Sequence, residues 1–181
     1  MNIIETKLEG CLIIEPKIFG DSRGYFFESF HQKKYQEVGI KEIFVQDNRS
    51  RSTKNVLRGL HFQINKPQGK LVSVISGEVY DVAVDLRQNS PTLGQYVGVY
   101  LNGENHRQLY IPPGFAHGFC VMSDHAEFFY KCTDFYDPSD EGGIIWNDPE
   151  INIAWPVQEP MLSDKDQKLT TLANYFDGNA S

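Results

Sequence analysis

Four side chains close together in sequence could do chemistry as a group: Arg58, His61, Gln63 and Lys70. They lie in Leu57-Arg58-Gly59-Leu60-His61-Phe62-Gln63 and, shortly after, Gln68-Gly69-Lys70-Leu71-Val72. Histidine is the natural proton acceptor near neutral pH, because a reference pKa of about 6.5 leaves the imidazole largely neutral there. A lysine ammonium or arginine guanidinium can hold negative charge as it develops. The flanking residues are those of buried strands, where a polar group is costly unless it is paired or used. His31, His106 and His125 lie in polar or turn contexts and read as solvated. His61 and His117 lie among Gly, Phe, Leu and Ala. Each reads either as a hydrogen-bonded core histidine or as a reaction group.

Composition sets the frame around them. The chain has 181 residues, 40% of them hydrophobic, which suits one domain over 1–181. Twelve Phe, nine Tyr, fifteen Gly and nine Pro favour strands and turns. A formal net charge of −7 argues against nucleic acid as a partner, so an anionic ligand needs a locally basic pocket. No apolar run approaches the roughly 20 residues of a membrane span, so no membrane partner is expected. The start, Met-Asn-Ile-Ile-Glu-Thr-Lys, lacks the basic-then-apolar shape of a signal peptide. Cys11, Cys120 and Cys132 form no C-x-x-C pair and read as reduced thiols of a cytoplasmic protein.

The elements that must position these side chains are mostly strands. Residues 12–19 read as a strand edged by Pro16, followed by a turn over 20–24 and a second strand over 25–30. A short surface helix over 31–38 stops at Gly39. Residues 43–48 lead from strand into a polar end, and 49–55 read as a charged loop. Strands follow over 56–63, 70–76 and 78–86, with Gly77 at a tight turn, then over 95–101, 108–111, 115–122 and 126–133. Residues 134–148 read as loop, and 163–173 as a C-terminal helix capped by Ser163. A βαβ fold needs a helix between strands, and none fits between 56 and 133, so a sandwich or barrel is expected. Alternation puts Phe128, Tyr130 and Cys132 on one strand face and Lys131 on the other. The same rule puts Arg58 and His61 on opposite faces unless Gly59 forms a bulge.

Pro112-x-Gly114-x-x-His117 resembles the second motif of the cupin superfamily. His61-Phe62-Gln63 stands at the place of that superfamily's His-x-His pair, and Lys70, seven residues before Gly77, at the place of its Glu. Metal-binding cupins use these positions as ligands. Here an amide and a cation replace two of them, and an ammonium has no lone pair to offer. The resemblance implies an all-β cupin double-stranded β-helix, or jelly roll, with a few short peripheral helices and a cationic pocket in place of the metal.

Longer strings sharpen the resemblance: Phe19-Gly20-Asp21-x-Arg23-Gly24-x-Phe26-x-Glu28, Phe44-Val45-Gln46-Asp47-Asn48, Arg58 to Gln63, Gln68 to Val72, Gly77 to Arg87, Ile111 to Phe119, and Trp146-Asn147-Asp148-Pro149. These are similar to the dTDP-4-dehydrorhamnose 3,5-epimerase family over most of the chain. That resemblance implies inversion of C3 and C5 of dTDP-4-dehydro-6-deoxy-D-glucose, both next to a ketone, with no metal and no redox cofactor. It implies His61 as base, Asp166 as its carboxylate partner, Tyr130 as acid on the opposite face and Lys70 as holder of the enolate oxygen, with Asp81 positioning Lys70. It implies Arg58 at the enolate or the phosphates. For the nucleotide it implies Arg23, Glu28, Gln46, Asp47, Asn48 and His117, with Tyr136 stacking on thymine and Glu141 and Lys165 near sugar or phosphates. It also implies a homodimer, in which the early residues could reach the partner's site. The rival readings are a single-carbon epimerase or ketoisomerase on a related sugar, and a sugar-binding cupin without turnover.

Overall fold

The computed structural model describes residues 1–178; residues 179–181 of the expected domain lie outside the described residues. Along the chain come β1 (Asn2–Glu5), β2 (Leu12–Glu15), β3 (Phe19–Asp21), β4 (Gly24–Phe26), α1 (Gln32–Glu37), β5 (Gln46–Thr53), β6 (Leu57–Gln63), β7 (Lys70–Ser76), β8 (Glu78–Asp85), β9 (Tyr96–Asn102), β10 (Gln108–Ile111), β11 (Phe115–Val121), β12 (His125–Cys132), β13 (Glu141–Gly143), a 3-10 turn (Asp166–Lys168) and α2 (Leu172–Gly178). A six-stranded sheet in the order β1-β2-β10-β7-β12-β5 faces a five-stranded sheet in the order β13-β6-β11-β8-β9, and β3-β4 form a separate hairpin. Neighbouring strands pair antiparallel throughout the two sheets. This is the jelly-roll expectation.

The core between the sheets includes Val72, Val74, Val79, Leu101, Leu109, Phe119 and Phe128. Burying each such side chain contributes roughly 1.5–3 kcal/mol. Residues of β11 are buried along its whole length, because both faces of the five-stranded sheet are covered. On its outer face, Leu60, Val82, Val84 and Ala116 pack beneath Ile151, Leu172 and Trp155 of the C-terminal segment. On the outer face of the other sheet, Tyr35 of α1 and Ile40 cover Ile14, Leu71 and Tyr110.

Five expectations need correction. The charged stretch 49–55 is strand rather than loop: β5 pairs residue by residue with β12 at the sheet edge. Arg49 and Arg51 point to solvent while Ser50 and Ser52 turn inward, a pattern that suits an edge strand. The strand expected over 25–30 shortens to β4, whose hairpin with β3 is exposed along its length. The helix expected over 163–173 is a single 3-10 turn, followed by α2 from Leu172. Ser163 does cap, its Oγ accepting the Asp166 N–H at 3.0 Å, but Asp166 then turns into the protein instead of continuing an exposed helix. The loop over 134–148 contains β13. Lastly, His31 is half-buried, and its Nδ1 has no partner among the described residues.

Two glycines are required where they stand. Gly77 has φ +78°, and a Cβ there would lie 2.1 Å from the His125 carbonyl oxygen. Gly59 has φ +118°, and a Cβ there would lie 2.6 Å from Gly118 Cα on the adjacent β11.

Candidate active site

Gly59 decides which side chains share a cavity. Between His61 and Arg58, β6 spans three residues where β11 spans two, from His117 to Phe119. The extra residue is a β-bulge at the glycine, and it brings Arg58 and His61 to one side. Both line a cavity of about 510 Å³ between the sheets, with Lys70, His117, Tyr130, Glu141, Lys165 and Asp166. A second arm of about 330 Å³ shares His61, Lys70, Tyr130 and Glu141 and adds Gln46, Asn48, Gln63, Gln68, Cys132 and Tyr136. Lys70 and Tyr130 come from the six-stranded sheet, His61 and His117 from the other.

His61 Nε2 lies 2.7 Å from Asp166 Oδ1. Asp166 is 3% exposed. Its other oxygen accepts the Gly59 N–H at 3.4 Å. Burial pushes the Asp166 carboxyl upward, but the His61 hydrogen bond and charge, with the Gly59 and Ser163 contacts, outweigh it and leave a net lowering. Asp166 is therefore an ionised acceptor. As an acceptor it calls for the proton on His61 Nε2, which in the neutral imidazole puts the lone pair on Nδ1, and the ring lines the cavity. The contact joins residues 105 apart in sequence.

Lys70 begins β7 and forms no ion pair among the described residues. Burial lowers its pKa, opposed by Cys132, Asp81 and Glu141. Tyr130 shares its inward face with Phe128 and Cys132, while Lys131 points outward to Asp47, as alternation requires. Burial raises the Tyr130 pKa, so the phenol keeps its proton at neutral pH.

Asp81 does not position Lys70 by direct contact. Its oxygens lie 3.1 and 3.0 Å from His117 Nε2. Asp81 pairs with Phe119 across β8 and β11, which makes His117 its diagonal neighbour on the same face, whereas Lys70 sits in the other sheet. His117 stands directly opposite His61. It belongs to the floor that carries His61, not to the second arm. Burial lowers its pKa, against the opposing effect of Asp81.

Glu141 accepts hydrogen bonds from Lys165 and from Tyr136 Oη, the latter at 2.6 Å. Burial raises its pKa, but these two donors reverse the sign. The Tyr136 phenol is pushed up to about 12 by its bond to Glu141. Gln46 Nε2 donates to Asn48 Oδ1 at 3.1 Å. Three expected residues stay outside this chain's cavity. Arg23 pairs with Asp21 on the exposed hairpin, Glu28 with Lys34, and Asp47 with Lys131. Asp47 is excluded because its neighbours Gln46 and Asn48 take the inward positions of β5.

The metal positions of a cupin do not fit a metal here. Lys70 is a cation, Gln63 is hydrogen-bonded through both amide atoms to backbone, and His117 Nε2 is engaged by Asp81. Among the described residues no group of three or more His, Cys, Asp or Glu is arranged to hold a metal ion. Sequence reasoning missed Met161, Leu162 and Ser163 as cavity wall, since no local pattern reports which strands a loop will cross. It also left out Gln68 and Cys132, which the period-two spacing from Lys70 and Tyr130 could have found.

A family model described as dTDP-4-dehydrorhamnose 3,5-epimerase matches residues 5–174. A dTDP-4-dehydrorhamnose 3,5-epimerase of Shigella flexneri is 60% identical, covering 97% of this chain and 99% of its own. The crystal structure of a dTDP-6-deoxy-D-glucose-3,5-epimerase from Legionella pneumophila, in complex with dTDP-4-keto-L-rhamnose, superposes with a TM-score of 0.92 at 58% identity, over 95% of this chain and 93% of that one. A dTDP-4-dehydrorhamnose 3-epimerase of Streptomyces niveus is 40% identical over 98% of this chain and 86% of its own. By the extent of that match, and with the same jelly roll, the chain belongs to the dTDP-4-dehydrorhamnose 3,5-epimerase family.

Proposed function

We propose that this protein is an isomerase that converts dTDP-4-dehydro-6-deoxy-D-glucose to dTDP-4-dehydro-L-rhamnose. The observation that carries the mechanism is one cavity lined by a carboxylate-held histidine, a half-buried lysine and a protonated tyrosine. His61 Nδ1 takes the proton from the carbon beside the C4 ketone. The electron pair moves to O4, and Lys70 holds the resulting enolate. Tyr130 delivers a proton to the opposite face of the same carbon, and the cycle repeats at the second carbon. No electron is transferred; after each inversion His61 gives its proton to water and the Tyr130 phenolate takes one from water, which resets both groups for the second carbon. Arg58 and Lys165 supply the basic ground for the diphosphate in an acidic chain, guanidinium and phosphate being matched in geometry. Gln46, Asn48 and Tyr136 line the arm assigned to the nucleoside, with Tyr136 on the thymine.

The test is NMR of the nucleotide 4-keto sugar with enzyme in heavy water. Deuterium is expected at both C3 and C5. Exchange at one carbon only would favour the single-carbon reading, and binding with no exchange would reduce the protein to a sugar-binding cupin. In the same assay Tyr130→Phe is expected to slow completed inversion by roughly 10²-fold or more while washing out substrate protons far less, since it removes an acid and not the base. Equal loss of both removes Tyr130 as the acid.

The protein acts as a homodimer in this reading. Phe19, Tyr25 and Phe26 of the β3-β4 hairpin are 54%, 61% and 70% exposed, an apolar surface that a partner subunit would cover. Arg23 and Glu28 lie beside them and would serve the partner's site. Light scattering is expected to report twice the chain mass, and a monomer at assay concentration would end this assignment. We place the enzyme in the cytoplasm on its three free, buried cysteines. No described helix is long and apolar enough to cross a membrane.

A further inference from the structure

Four backbone groups of the segment 134–137 are held by the side-chain amides of three glutamines. Gln68 Nε2 donates to the Asp134 carbonyl at 2.7 Å. Gln63 Nε2 donates to the Phe135 carbonyl at 3.3 Å, and Gln63 Oε1 accepts the Asp137 N–H at 2.7 Å. Gln46 Oε1 accepts the Tyr136 N–H at 2.9 Å. The segment itself is open: Phe135 is 64% and Tyr136 50% exposed, whereas Gln63 and Gln68 are 4% and 9% exposed. Backbone at the surface can be satisfied by water, so buried amides are not needed to solvate it. An amide offers a donor and an acceptor at once, which lets it fix a segment rather than merely satisfy it.

The three glutamines are placed by a common spacing. Gln63 follows His61 by two residues, Gln68 precedes Lys70 by two, and Gln46 precedes Asn48 by two. All six line the second arm of the cavity. Extended chain repeats its direction every second residue, so each stretch presents one glutamine beside one cavity group. Tyr136, carried by the clamped segment, lines the same arm.

We infer that Gln63 and Gln68 are positioning residues that hold segment 134–137, and with it the Tyr136 ring, in place at the rim of the nucleoside arm before substrate arrives. The inference rests on Tyr136 as the thymine-stacking residue. A ring already in place spares the binding step the ordering of a surface segment. Gln63 links this rim to the strand that carries the base.

Gln63→Met and Gln68→Met remove the amides with little change in volume. Each is expected to raise the KM for the nucleotide sugar and the Kd for thymidine diphosphate roughly tenfold, the scale of one lost base-stacking contact, with kcat within about twofold. Inhibition by inorganic pyrophosphate, which has no base, stays unchanged. In a Tyr136→Ala background the glutamine substitutions add no further loss of thymidine diphosphate affinity. A lower melting temperature and lower kcat with KM and Kd unchanged would mean a structural role only, and would overturn the inference. If Tyr136→Ala weakens thymidine diphosphate binding but neither folded glutamine variant does, the clamp fails while the stacking reading stands. If Tyr136→Ala leaves that affinity intact, the stacking reading fails and takes the inference with it. Two variants on separate stretches keep the test open should one of them not fold.

Discussion

His61→Asn is expected to lose deuterium exchange at both C3 and C5 together, by a factor of roughly 10²–10⁴, the usual contribution of a positioned general base. Both carbons flank the same ketone, and one imidazole, held at 2.7 Å by Asp166, lines the cavity where either would sit. Asparagine is chosen because it can still hydrogen-bond the Asp166 carboxylate, which is 3% exposed and costly to leave unpaired. Thymidine diphosphate affinity is expected to stay within about threefold, because the groups assigned to nucleoside and phosphate are untouched. The measurement is proton wash-out followed by NMR, with a binding isotherm alongside. Exchange retained at either carbon would show a second base and remove His61 from that half of the reaction.

Lys70→Met is expected to lower kcat roughly 10²–10³-fold with a much smaller change in KM, the signature of an interaction made mainly in the transition state. Methionine keeps the apolar stem of the lysine and loses only the charge. The substituted site holds an enolate without the cation assigned to its oxygen. A rise in KM with kcat intact would instead make Lys70 a ground-state binding group. The pH profile gives an independent check with a definite sign. An ammonium is charged below its pKa and neutral above it, and burial lowers the Lys70 pKa. Activity that depends on the charge must therefore fall on the alkaline side, at a pH below the ordinary lysine value of about 10.4. In Lys70→Met that limb should vanish from whatever activity remains.

Much of the molecule could be read from local pattern. Alternation over 126–133 put Tyr130 inward and Lys131 outward, and pairing with Asp47 shows Lys131 there. The strands over 57–85 came from apolar runs bounded by glycine, and β6, β7 and β8 fall within a residue of those bounds. A departure from alternation was itself informative. Arg58 and His61 could share a face only through a bulge, and glycine was the residue able to supply it. Pattern failed where charge masked pairing. Arg49 and Arg51 look like loop residues because an edge strand turns its charges outward. It failed again at 163–173, where a capping serine opened a single turn that the pull of His61 on Asp166 bends inward.

What the sequence determined by itself is the set of reagents and the family. A histidine, a lysine and a tyrosine stand on extended stretches at spacings that survive any packing of those strands, because side-chain direction along a strand is a local property. Which groups touch is a different kind of fact. Asp166 pairs with His61, Asp81 with His117, and Gln63 with the segment that bears Tyr136. Each contact joins residues far apart in sequence, and only the stacking of one sheet on the other, with the C-terminal segment folded back over β6, brings them within hydrogen-bonding reach. The tertiary structure thus turned polar residues that could have been satisfied core into a carboxylate-held histidine, a lysine with no ion pair among the described residues and a glutamine bonded to segment 134–137. It did so by deciding which of them spend their hydrogen bonds on the fold and which still have a lone pair or a charge facing the cavity.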